Sequence, residues 1–336
     1  TKYVPEALFA DWGAKDPVDR FTRHVVEAGA LTDDEAAAVR RALIDEVEEA
    51  AEYALAQPPV RSTLDAERAD LFAPAPTVAS APDDAPEPSG PATEKRFIDA
   101  ISDGLREAMD DDPRVVLMGQ DVAEYGGVFK VTQGFVERFG RARVRNTPII
   151  ESGVIGAAMG LALEGFVPVV EMQYADFITC GFNQVVNNLA TTHYRWGAPL
   201  NVTIRAPFGG SIGAGPFHSQ SMEAWFCHVP GLKVVVPATP ADARGLLRAA
   251  VDDPNPVLFF EHKYLYRALK GLVPDASGYR VPLGRARVAR AGTDVTLVTY
   301  GIGVVWALEE AERQAGRGVS VEVVDLRTLV PWDREA

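Results

Sequence analysis

Two cysteines, Cys180 and Cys227, are the only thiols in 336 residues. That is too few for a disulfide framework or a cysteine-held zinc site, and it fits a reduced, cytoplasmic setting. No run of about 18 apolar residues is present to span a bilayer. Positive charge is scarce: 33 Lys and Arg against 47 Asp and Glu leave a net charge of −14. Such a balance repels phosphate backbones and anionic lipid, which argues against nucleic acid and membrane surfaces as partners. Phosphate-gripping motifs are missing too, with no Walker loop and no glycine-rich dinucleotide turn after the first strand. Nor does Gly-Asp-Gly occur anywhere. The chain opens without Met and without the charged-then-apolar layout of a signal peptide, so it reads as an interior piece of a longer chain.

What is present falls into blocks. Residues 1–72 read as helical: Thr32 and Glu35 fit a capping box, and a long helix follows until Pro58-Pro59 stops it. Its stripe of Val39, Leu43, Val47, Ala50 and Ala54 needs a surface to pack on, because so short a block holds little core of its own. Residues 73–93 are a Pro/Ala-rich linker that, if extended, spans roughly 65 Å at about 3.1 Å per residue. From 94 to 270 near-continuous apolar runs (114–119, 167–173, 200–205, 232–238 and 256–262) alternate with helical patterns at 152–164, 176–195 and 240–252. Runs apolar on both faces are what buried parallel strands look like, and the alternation predicts a doubly wound parallel sheet. Thr239 and Pro240 supply the cap and first position of the last of those helices. Residues 275–336 start a second, incomplete α/β domain.

Two residues stand out chemically. In "NTPIIESGVIGAAMG" (146–160), Glu151 sits where an apolar strand meets a glycine-rich helix. An acid in a first helical turn is favoured by the helix dipole, and a strand-end carboxylate is often simply solvated. The functional alternative is a carboxylate sequestered by its apolar flanks, sharing a proton with a ligand nitrogen. His218 ends the glycine-laced stretch "RAPFGGSIGAGPFHSQS" (205–221), placed where open α/β sheets bind ligands. Alone, it reads equally as a loop hydrogen-bonder.

Several stretches, "GQDVAEYGGVFKVTQGFVERFG", "NTPIIESGVIGAAMGLALEG", "EMQYADF", "FHSQSMEAWFCHVPGLKVVVPATPADARGLL", "NPVLFFEHKYLYR" and "VEVVDLRTLVPWD", occur in order between 95 and 336. Together they closely resemble the beta subunit of the thiamine-diphosphate-dependent 2-oxoacid dehydrogenases, the decarboxylating first components of the pyruvate and branched-chain complexes. Residues 14–72 are similar to the C-terminal tail of the partner alpha subunit, so the whole resembles the join of an alpha–beta fusion.

The resemblance implies a transketolase-like pyrimidine-binding domain at 94–270 and a truncated transketolase C-terminal-like domain at 275–336. Glu151 matches the glutamate that hydrogen-bonds the pyrimidine nitrogen of thiamine diphosphate, favouring the tautomer that deprotonates the thiazolium carbon. Phe177 matches the aromatic stacked on that ring, beside Ile149 and Gln173, although a Phe in such a segment is more often core. His218 matches the histidine facing the reacting centre. The carbonyls of Leu200, Val202, Ala250 and Asp253, with Thr203 and Asn255, match a structural cation site suited to potassium, with magnesium or water as substitutes; the alternative is that they only end a strand and a helix. The diphosphate and its Mg²⁺ belong to a Gly-Asp-Gly motif in the alpha part. The expected partners are therefore that diphosphate-binding domain, further alpha–beta units in a heterotetramer-like oligomer, and a dihydrolipoyl acyltransferase core. The implied reaction is oxidative decarboxylation of a 2-oxoacid, branched-chain (2-oxoisovalerate-like) favoured, with acyl transfer to lipoyl. Pyruvate or acetoin dehydrogenase, and a non-catalytic assembly module, are the alternatives.

Overall fold

The computed structural model describes residues 5–74 and 90–336. The chain divides between Thr63 and Leu64 into two units. The first holds helices α1 (Glu6–Gly13), α2 (Pro17–Glu27) and α3 (Asp33–Ala56). Asp16 caps α2 through the N–H groups of Val18 and Asp19, and Pro17 takes the first position, where no N–H is needed. The expected capping box forms: the Glu35 carboxylate accepts from the Thr32 N–H at 2.8 Å, and Thr32 Oγ1 accepts from the Glu35 N–H. The apolar stripe of α3, including Val39, Leu43 and Val47, is exposed.

The second unit opens with α4 (Leu64–Ala69). Residues 75–89 of the Pro/Ala stretch lie outside the described residues. At its near end Ala73 is buried, donating to Asn255 Oδ1 at 2.7 Å. At its far end come β1 (Ala92–Arg96), α5 (Phe97–Asp111), β2 (Val115–Gly119), α6 (Phe135–Phe139), β3 (Val144–Asn146), α7 (Glu151–Leu163) and β4 (Val167–Glu171). A 3-10 turn (Ala175–Gly181), a π turn (Gln184–Leu189) and α8 (Ala190–Trp196) follow. Then come β5 (Thr203–Phe208), a 3-10 turn (Pro216–His218), α9 (Glu223–Cys227), β6 (Lys233–Val235), α10 (Pro240–Asp252) and β7 (Val257–His262). The order closes with α11 (Leu265–Ala268), β8 (Lys270–Pro274), β9 (Arg287–Arg290), β10 (Val295–Thr299), α12 (Ile302–Ala315), β11 (Val321–Asp325) and β12 (Thr328–Val330).

Strands β2, β4, β5, β6 and β7 are buried along their whole length, as their apolar runs predict. They pair in parallel in the order β6-β7-β5-β4-β2-β3, with Leu117 beside Val169, Val169 beside Thr203, and Thr203 beside Val257. One strand departs from the parallel expectation. After β11 the chain turns at Arg327, whose φ of 57° is left-handed, and β12 returns antiparallel onto β6. It thereby covers an edge that would otherwise expose unpaired backbone groups.

Helices α5 and α10 pack one face of the sheet, burying Phe97, Ile101, Leu105 and Met109 against Leu246, Leu247 and Ala250. A side chain at Gly104 would crowd the Arg244 carbonyl, so glycine sets how closely these helices approach. The other face buries Val154 and Ile155 of α7 with Ile178, Val185 and Leu189. The helix expected over 176–195 is helical but changes type, from 3-10 over Ala175–Gly181 to a π segment at Gln184–Leu189 and then α8. Gly181 packs closely on α7, where a Cβ would lie 2.5 Å from Ile155 Cδ1. The C-terminal domain places α12 on its three-stranded sheet, order β10-β11-β9. Among the described residues no helix is long and apolar enough to cross a membrane.

Candidate active site

In the parallel sheet β3 lies on one side of β2, while β4 and every later strand lie on the other. The loops leaving β2 and β4 therefore diverge, and a crevice opens at their carboxyl ends. Glu151 opens α7 at this edge and is half-buried, with Gln120 Nε2 donating to its Oε1 at 3.1 Å. Gln173 follows β4, its Nε2 at 3.5 Å from Asp121 Oδ2. Both expected side chains are thus held by adjacent residues at the end of β2. Asp121 has a φ of 58°, a conformation sparse for non-glycine residues, which turns the chain sharply at that point.

The next wall is aromatic. His218 packs edge-on to Tyr174 at 4.6 Å and to Phe177 at 5.4 Å between ring centroids. Tyr174 meets Phe129 at 5.6 Å, which meets Tyr266 at 5.1 Å. Phe177 therefore faces His218 and is not a core residue. Ile149, 83% exposed, stands at the rim.

The apolar flanks of Glu151 divide. Val154 and Ile155 of α7 are buried, whereas Ile149 and Ile150 are 83% and 53% exposed on the surface of this chain.

Below the crevice lies a charged floor. Arg205 on β5, fully buried, grips Glu261 through Nε and Nη2 at 2.8 Å each and Glu171 through Nη1 at 2.5 Å. Tyr266 donates to Glu261 at 2.5 Å. Burial opposes the Arg205 charge, but Glu261 and Glu171 more than offset it and hold the guanidinium charged. Burial pushes the Glu171 carboxyl up, with Arg205 pulling against it. Lys263, just past β7, is pushed down to about 8 by burial, against the attraction of Asp176. His262 is pushed down to about 4 by burial and then by Lys263. None of Gln120, Tyr174, Asp176 or Lys263 was singled out from the sequence. The floor did carry a signal, since Glu171, Arg205 and Glu261 are charges inside otherwise apolar strands.

The six positions proposed for a cation come together at the amino ends of the central strands β5 and β7. The Val202 carbonyl accepts from the Val257 N–H at 2.9 Å, and the Ala250 carbonyl accepts from Thr203 Oγ1 at 3.1 Å. The Leu200 N–H donates to the Pro254 carbonyl. Asn255 spends its Oδ1 on the Ala73 N–H, and Lys233 Nζ donates to Asp253 Oδ2 at 2.5 Å. The Lys233 ammonium pairs with the Asp253 carboxylate, which is not one of the main-chain oxygens expected to face a cation. No cluster of three or more His, Cys, Asp or Glu able to hold a metal exists among the described residues.

Two family models match the chain: transketolase, pyrimidine binding domain, over residues 94–268, and transketolase, C-terminal domain, over 284–336. A split gene transketolase solved as an inactive beta4 tetramer superposes with a TM-score of 0.58 at 26% identity, covering 71% of this chain and 74% of that one. The fold is accordingly transketolase-like, with mixed but mainly parallel α/β layers. In sequence the chain is 50% identical over 244 residues to the 2-oxoisovalerate dehydrogenase subunit beta of Bacillus subtilis (strain 168), covering 71% of this chain and 74% of that protein. It is 46% identical to the mitochondrial 2-oxoisovalerate dehydrogenase subunit beta 2 of Arabidopsis thaliana, covering 70% and 66%. It is 44% identical to the pyruvate dehydrogenase E1 component subunit beta of Bacillus subtilis (strain 168), covering 70% and 73%. The chain belongs to the 2-oxoacid dehydrogenase E1 beta-subunit family.

Proposed function

We propose that this chain supplies the pyrimidine-side half of a thiamine-diphosphate-dependent active site that decarboxylates a 2-oxoacid and passes the acyl group to lipoyl. The observation that carries the reading is Glu151, held by Gln120 where the strand order reverses, beside the Phe177–His218 wall. A carboxylate, an amide and an aromatic face suit a flat, nitrogen-bearing ring. When bound, the cofactor supplies a nucleophilic carbon that adds to the 2-oxo carbon and takes the electron pair left by departing carbon dioxide. Glu151 holds a proton at its carboxylate toward the ring nitrogen, and Gln120 fixes which oxygen faces the ring. Phe177 and Ile149 exclude water from the ring faces, and Gln173 offers an amide at its edge. His218 faces the far end of the crevice, where it orients the acyl group or the incoming lipoyl sulfur.

The exposed Ile149, Ile150 and Phe217 at the rim call for a second wall. We assign that wall, with Mg²⁺ and the diphosphate, to a Gly-Asp-Gly-bearing alpha part, of which residues 14–72 are the tail in a fused chain. Heterotetramer-like assembly, docking to a dihydrolipoyl acyltransferase core and a cytoplasmic site belong to the same reading. Potassium at 200–255, held by main-chain carbonyls with Thr203 and Asn255, belongs to it as well. Branched-chain 2-oxoacids are favoured because the two highest identities, 50% and 46%, are to 2-oxoisovalerate enzymes, although a third such relative, at 42%, ranks below a pyruvate enzyme at 44%.

The test is reconstitution with an alpha part bearing Gly-Asp-Gly, followed by substrate-dependent reduction of an artificial electron acceptor. Faster turnover of 3-methyl-2-oxobutanoate than of pyruvate supports the reading. Preference for pyruvate moves the chain to the pyruvate branch, and no turnover with any 2-oxoacid leaves it an assembly module.

A further inference from the structure

We propose that Asp176 and Lys263 are positioning residues for His218: a buried pair of opposite charge that fixes the base of the loop carrying it. The claim about position stands on the structure alone; its consequence for turnover rests on the function proposed above.

The loop leaves β5 at Gly209 and returns at Gln220, and the Gly209 N–H donates to the Gln220 carbonyl at 3.0 Å. Gly209 has a φ of 87° and lies against the His262 ring, where any side chain would collide. Between base and histidine the backbone runs through Gly210, Ser211, Gly213 and Gly215, the last three with positive φ. Glycine-rich backbone has little stiffness of its own, so the position of His218 must be set at the feet of the loop. One foot is held by the Asp176 side chain, and the other by the Lys263 backbone, whose side chain lies beneath the wall on which His218 packs. Asp176 Oδ1 accepts from the Gln220 N–H at 3.2 Å, two residues beyond His218. The Lys263 N–H donates to the carbonyl of Phe208, the last residue before the loop, at 3.0 Å.

Their side chains are both buried under the aromatic wall, near enough for Asp176 to attract the Lys263 ammonium without a direct ion pair. Lys263 is 3% exposed and Asp176 5%, and Lys263 Nζ lies 5.6 Å from the centre of the Tyr174 ring on which His218 packs. Neither Lys263 Nζ nor Asp176 Oδ2 has a hydrogen-bond partner among the described residues. Two such groups buried in an apolar setting cost stability that an aliphatic pair would not, and each is tolerable only in the field of the other. Their placement, at the two feet of one loop, gives the reason for that cost. The other titratable groups packed at this corner are Tyr174 and His262.

The experiment labels histidine Cε1 with ¹³C in the full chain, with the His218 signal identified by its loss in His218→Asn. Asp176→Ala and Lys263→Met are expected to displace or broaden that signal while those of His24 and His193 stay fixed, and Lys263→Arg restores it. The double variant Asp176→Ala/Lys263→Met removes both charges together, so it carries the test should the single variants not fold. An unmoved His218 signal in the double variant overturns the proposal. In the assembled enzyme the singles should lose about ten- to a hundredfold in kcat for lipoyl acylation, with KM for the 2-oxoacid within about threefold, as misplacement of a reacting group predicts. A displaced signal in a protein that decarboxylates no 2-oxoacid would sink the functional reading and leave the positioning of His218 intact.

Discussion

At Glu151 the chemistry depends on a single exchangeable proton. Glu151→Gln keeps the shape and one hydrogen-bond acceptor but cannot share a proton in the same way. Thiamine diphosphate binding, followed by quenching of intrinsic fluorescence in the reconstituted enzyme, should stay within a few-fold of the parent. Decarboxylation measured with an artificial acceptor should fall by about 10²- to 10⁴-fold, the range for loss of a general acid–base group. Unchanged turnover would remove Glu151 from the mechanism. His218 makes a different prediction because it sits on the loop side of the crevice, against Tyr174 and Phe177. His218→Ala should depress lipoyl acylation more than artificial-acceptor reduction, and equal losses would contradict a role in transfer. The sequence marked both residues, but not Gln120, which orients the carboxylate from another strand 31 positions away.

Among the elements, α10 shows how local signals set a boundary. Thr239 Oγ1 accepts from the Asp242 N–H at 3.1 Å, and Pro240 needs no partner at the first position. Thr239→Ala should cost about 1 kcal/mol in chemical denaturation, the usual worth of such a cap, with no change in the site at the far edge of the sheet. That helix matched its expected bounds because cap, proline and apolar pattern lie within a few residues of one another. The 176–195 segment changes helix type along its length, and the close approach of Gly181 to Ile155 within it is a contact between elements that sequence neighbours do not show. The antiparallel return of β12 was hidden for the same kind of reason: a three-residue strand has too few positions to show a period of its own.

The whole molecule is held together where its two α/β domains meet. Arg327 donates from Nη2 to Asp242 of α10 at 2.8 Å, and Arg287 of β9 lies within 3.8 Å of both Asp242 and Asp325 of β11. Burial, and then the charge of Asp242, pushes the Asp325 carboxyl up to about 7. A carboxyl raised in the folded state holds its proton after the unfolded chain has lost it, so its contribution to stability falls as pH rises from about 4 to 7. His262 acts in the opposite sense. Its folded value, lowered to about 4 from 6.5, makes stability rise with pH between those values. Asp325→Asn removes only the first of these effects. Its thermal midpoint should therefore climb more steeply with pH from 4 to 7 than the parent's; matching slopes would show that Asp325 titrates normally. Apolar runs and caps determined the layers and most strand positions, because those depend on neighbours in sequence; the same pattern drew attention to Glu151 and His218, whose roles came only from the family resemblance. The carboxylate's partner, the buried Arg205 floor, the feet of the His218 loop and the openness of the Glu151 flank were decided only by the tertiary structure. Each of these is a relation between strands far apart in the chain, and burial is a property of what surrounds a residue in space.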